Sequence, residues 1–65
     1  MNKAKTYMQA CYQWACHVED NMGTTLNEHS HPNKSDSIEL DDRWVLRNQF
    51  GTLAVIHKHS GRLCI

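Results

Sequence analysis

The residues best suited to chemistry in this sequence are its three cysteines and five histidines. Cys11, Cys16 and His17 lie close together, as metal ligands often do. On a helix, at about 100° per residue, their side chains project roughly 100–140° apart and cannot close on one ion. Cys11 reads instead as a small buried hydrophobe. His57 and His59, two apart on a strand, point the same way, and Cys64 would stand across a hairpin from His57. Those three ligands, with a fourth from His29 or His31, could take zinc at bonds of about 2.0–2.3 Å. The sequence has neither a Cys-x-x-Cys pair nor finger spacing, so no cofactor is expected, and zinc on His57, His59 and Cys64 is kept as an alternative. His29-x-His31-Pro32 by itself reads as a surface loop.

Catalysis has little to build on. A Cys64–His57 pair could in principle give an activated thiolate. A working site also needs a cleft and an oxyanion donor. The sequence shows no glycine-rich loop and no nucleophile motif, and Ser60-Gly61 reads as a turn. The chain is therefore not expected to be an enzyme. A nucleic-acid interface is a stronger possibility: Arg43, Arg47, Lys58 and Arg62 gather in the last third, with Trp44 and Phe50 available for stacking. Four cations make a modest patch, and the acidic run Asp36–Asp42 could cancel it. That run, with Ile38 and Leu40 alternating, reads either as an edge strand of the chain's own sheet or as a docking strand for another sheet.

The elements that must position these residues are a helix and a meander. Ala4, Tyr7, Met8, Cys11, Trp14, Ala15, Val18 and Met22 recur at helical spacing and predict an amphipathic helix over 3–22, with Asn2 as N-cap and Gly23 as the closing residue. Residues 24–36 are polar and read as a mobile connecting loop. Residues 37–65 read as an antiparallel β-meander: 37–40, 43–48, a turn at 49–51, 52–57, a two-residue turn at Ser60-Gly61, and 62–65. That last turn would set His57 against Cys64 and Ile56 against Ile65. The expected fold is a single α+β domain, the N-terminal helix packed on a three- to four-stranded antiparallel sheet.

A chain of 65 residues has a marginal core and buries only about 60% of the surface its unfolded form exposes. Both faces of the predicted sheet carry apolar side chains, and one helix covers one face. The second face is left for the loop, a second copy or a partner. Net charge is zero, but residues 1–42 set three lysines against seven acids, leaving −4, while 43–65 carry four cations and no acid, +4. An odd cysteine count favours free thiols and a reducing, cytoplasmic setting. The polar opening Met1–Thr6 does not read as a secretion signal, and no stretch approaches a membrane span.

These features together read as a small non-enzymatic regulatory or inhibitory protein, of the kind carried by phages, prophages and plasmids, that acts by binding another protein and forms a homodimer. Trp44, Phe50, Leu53 and Val55 are the expected contact residues, since large aromatics supply much of the energy at interfaces.

Overall fold

The computed structural model describes residues 4–65. One helix, α1 (Tyr7–Met22), packs on a four-stranded antiparallel sheet of β1 (Ile38–Glu39), β2 (Arg43–Asn48), β3 (Gly51–His57) and β4 (Leu63–Cys64), in that spatial order. The α+β helix-and-meander architecture expected from the sequence is the one observed. The helix begins four residues later than its periodicity suggests, and the cap expected at Asn2 lies outside the described residues. Thr6 is the cap. Its hydroxyl accepts from the Gln9 N–H at 3.2 Å, and the Gln9 side chain accepts in return from the Thr6 N–H. This reciprocal pair satisfies donors the first turn leaves free. At the other end Gly23 takes the left-handed conformation, φ 66°, that ends the helix without a Cβ penalty.

The buried stripe of α1 is Ala10, Trp14 and Val18, flanked by half-buried Tyr7 and Cys11. Met8 and Met22, included in the apolar stripe by sequence, are exposed. Across from the stripe, β2 alternates strictly, with Trp44, Leu46 and Asn48 facing the helix. Ala54 and Ile56 of β3 complete the core, and Leu63 of β4 packs at its margin. Trp44, expected to contact a partner, is thus core: it is 9% exposed and meets the edge of Tyr7 at 5.9 Å.

The β3–β4 register is shifted from expectation. Val55 pairs with Cys64 and Ile56 with Leu63, not His57 with Cys64 and Ile56 with Ile65. Four residues, Lys58–Gly61, make the connection. The Gly61 N–H bonds the His57 carbonyl at 2.9 Å, and Gly61 sits at φ 70°, so the turn needs the longer loop to place its glycine. The slip is two residues, and side chains alternate with period two, so Leu63 stays on the helix side and Cys64 on the other.

Two indoles fasten the irregular segments. Trp44 Nε1 donates to the Ala4 carbonyl at 2.9 Å, while the Ala4 N–H donates to the Lys58 carbonyl at 3.0 Å. Trp14 Nε1 donates to the Ser30 carbonyl at 2.7 Å. Buried Asn48 donates to the carbonyls of His29 and His31, on either side of Ser30, and accepts from the Phe50 N–H. The segment expected to be a mobile connector is therefore tied to the core through three successive carbonyls, all on the helix side of the sheet.

Trp44→Ala is expected to cost about 3–5 kcal/mol, enough to unfold most of a domain this small. Trp14→Phe keeps a ring but strands the Ser30 carbonyl, at about 1–3 kcal/mol. Urea denaturation followed by circular dichroism reads both. An unchanged midpoint for Trp44→Ala would remove the indole from the core.

Candidate binding surface

Helix and loop both lie against one side of the sheet, and among the described residues no helix or loop packs on the other, here called the bare side. Its side chains follow from the alternation of β2 and β3. Arg43, Val45 and Arg47 point away from the helix, as do Val55 and His57. The register joins them into rows. Ile38 pairs with Val45, Val45 with Val55, and Val55 with Cys64, one apolar row crossing all four strands. At about 4.8 Å between strands the row is about 14 Å wide. On one side of it stand Arg43 and His57, paired with each other, and Arg62, whose carbonyl accepts from the His57 N–H. Arg47 stands on the other side. Electrostatic interaction of Arg43 with Cys64, and of Asp42 with His57, agrees with a shared face.

The cations are in unequal states. Arg43 donates Nε and Nη2 to the two Asp42 oxygens, each at 2.9 Å. That fork holds the Asp42 carboxyl down at about 2 and raises the Arg43 guanidinium further. Lys58 belongs to the opposite side. Its Nζ bonds Glu39 at 2.7 Å and lies 5.1 Å from the centre of the Trp44 ring, closing the end of the core. Among the described residues, no carboxylate lies within ion-pair distance of Arg47 or Arg62, and the Arg47 Nε is buried without an acceptor.

The four expected contact residues therefore separate. Trp44 is internal. Leu53, the extra residue where the β2–β3 register shifts, is half-buried against the core. Phe50 is exposed at the β2–β3 turn, its ring 4.4 Å from that of His29. Val55 alone lies in the bare row. Of the four cations expected to meet nucleic acid, Arg43, Arg47 and Arg62 share the bare face and Lys58 does not. Neither Trp44 nor Phe50 stands among them. Ile38, Val45 and Cys64 were missing from the expected contact set, although the alternation through Arg43–Arg47 carried the signal for Val45.

The zinc set is not assembled. Cys64 stands opposite Val55, one step diagonal from His57, and His59 is in the exposed turn. Among the described residues, no three His, Cys, Asp or Glu side chains are arranged to hold a metal ion. Cys16 neighbours Tyr12, whereas His17 stacks on Trp14 at 5.8 Å, so the helical trio is dispersed as its geometry required. The acidic run is the sheet's own edge strand, with Ile38 and Glu39 paired to β2.

A cleft of about 520 Å³ opens between α1 and the loop, lined by Tyr7, Cys11, His31, Pro32, Lys34 and Asn48 among others. Burial pushes the Cys11 thiol up, which keeps it protonated and a poor nucleophile. Burial, with the Cys11 hydrogen bond adding to it, pushes the Tyr7 phenol up to about 12. Burial thus favours the neutral form of both the thiol and the phenol that line the cleft.

Comparison of the chain with protein-family models, with curated proteins and with solved structures finds no match.

Because folding favours the neutral Tyr7 phenol, its contribution to stability is complete below about pH 10 and is lost as pH rises toward 12. The difference in absorbance titration at 295 nm between the parent and Tyr7→Phe should have its midpoint near 12. A midpoint near 10 would mean a solvated phenol.

Proposed function

We propose that this chain is a small non-enzymatic regulatory or inhibitory protein that works by holding another protein against the bare face of its sheet. The observation that carries the reading is the uninterrupted row Ile38–Val45–Val55–Cys64 on a face that neither helix nor loop covers. An antiparallel sheet with one solvated face ordinarily alternates apolar in and polar out. Here the outward positions at the centre of the sheet are valines, which do nothing for the helix-side core. Apolar side chains set among cations fit a docking surface with an apolar centre and a charged rim. Four strands give it a rigid, preformed shape, which lowers the cost of binding.

Three other readings have less support. Nucleic-acid binding would use Arg43, Arg47 and Arg62, but among the described residues this face offers no Phe, Tyr or Trp ring for base stacking, and Asp42 already occupies Arg43. A homodimer through this face would lay arginines against arginines. Catalysis would have to use the cleft at Tyr7 and Cys11, where burial suppresses the thiol. A cytoplasmic site of action remains part of the proposal. Among the described residues, no helix is long and apolar enough to cross a membrane.

The test places a photo-crosslinking residue at Val55 and, separately, at exposed Met8 on the helix. The expected result is a specific crosslinked protein from Val55 that is lost in a Val45→Glu background, with Val45→Glu changing stability by about 1–2 kcal/mol at most. Crosslinking from Met8 and none from Val55 would put the docking surface on the helix instead.

A further inference from the structure

The charges around the apolar row identify the chemistry of what covers it. Arg47 and Arg62 lie on opposite sides of the row, one beyond Val45 and the other beyond Cys64. Neither has a carboxylate partner among the described residues, whereas Arg43, on the same face, has a full bidentate one. The state of Arg47 is the more telling. Its Nε–H is buried, has no acceptor and is closed to solvent, so an incoming carboxylate would meet this guanidinium at its terminal nitrogens. Three of the four acids in the run before these arginines are held by other groups. Asp42 is held by Arg43, Glu39 by Lys58 on the helix side, and Asp36 accepts from the Asn33 amide. The face therefore combines an apolar centre with unanswered guanidinium groups on both flanks.

We infer that the occupant of the bare face is an acidic polypeptide segment of a partner protein, with apolar side chains over Ile38, Val45, Val55 and Cys64 and carboxylates on Arg47 and Arg62. This rests on the bare face being the docking surface. Guanidinium groups favour carboxylates because two parallel N–H donors match two oxygens. A nucleic acid would bring the right charge, but it would set phosphates and bases over three aliphatic side chains and a thiol, none of which can stack and of which only the thiol can hydrogen-bond, weakly. A second copy would bring the right apolar surface with the wrong charge. Only an acidic, partly apolar polypeptide complements both features. A standard interface takes about 800 Å² from each partner. Against a total surface of 4434 Å² that demands most of a sheet face rather than one corner of it, so both arginines would be engaged together.

The experiment follows amide shifts of the isotopically labelled, full-length chain as three probes are added. They are an eight-residue peptide of alternating valine and glutamate, the same peptide with lysine for glutamate, and a twelve-nucleotide oligo-dT. The expected result is movement of the Val45, Arg47, Val55 and Cys64 amides with the glutamate peptide alone. Affinity should fall about tenfold in Arg47→Gln plus Arg62→Gln, and fall again as salt is raised. Arg62 is exposed and Arg47 half-buried, and an unchanged urea midpoint would show that the fold is intact. Equal binding of the lysine peptide at the same amides would overturn the acidic occupant and leave the docking face standing. Preference for oligo-dT at those amides would overturn it in favour of nucleic acid. Concentration-dependent dimerisation in analytical ultracentrifugation that displaces the peptide would make the occupant a second copy. Silence of this face toward every probe, in a monomer, would overturn the inference. With no crosslink from Val55 either, it would take the docking reading down as well.

Discussion

The fold depends on two indole N–H groups, each reaching out of the core to hold a stretch of chain that has no regular structure of its own. Among the described residues the core cluster has eight buried members, few for one domain, and three of them are alanines. What enlarges the effective core is that Trp44 and Trp14 do two things at once. Each fills the space between helix and sheet with its ring, and each spends its one polar atom on a backbone carbonyl, of Ala4 and Ser30 respectively. A buried indole without an acceptor would be a liability. With one, it makes both the residues before the helix and the loop after it part of the packed body.

Asn48 extends the same device. Its amide satisfies the carbonyls on either side of the one Trp14 holds, so residues 29–31 present their backbone inward and their side chains outward. The loop is thereby drawn to the helix side, and it cannot shield the other side of the sheet. Economy in building the core and exposure of the second face are two results of one arrangement. The short edge strands fit this picture. β1 and β4 contribute two paired residues each, enough to complete a row across the sheet while offering little backbone for unwanted strand addition.

Much of this could be read from residue order. The periodicity from Tyr7 to Val18 gave the helix, and the alternation in Arg43–Asn48 and Leu53–His57 gave the central hairpin. The three errors of placement have separate causes. The helix start was read from Ala4, which is buried not as part of the helical stripe but because Trp44 holds its carbonyl, a contact no local pattern encodes. The last turn was read from Ser60-Gly61 alone, although Gly61 closes a four-residue loop just as well. Trp44 was misplaced because a lone tryptophan beside arginines looks the same whether it faces a core or a partner; only the phase of β2 relative to the helix decides. The orphaned Arg47 Nε was invisible, since it depends on where every neighbouring acid is spent.

The clip between Trp44 and Ala4 also bears on how the molecule comes together. The two residues are forty apart in sequence, whereas the strands form a meander in which each pairs only with the next. Bringing such distant points together costs about 3 kcal/mol of chain entropy. Hairpins, by contrast, close over a few residues. The segment before the helix is thus joined to the sheet through long loop closures, this one and the still longer one from Ala4 to Lys58. In kinetic terms the N-terminal segment acts as a latch, and the barrier to shutting it is set by topology more than by the strength of the bond that holds it.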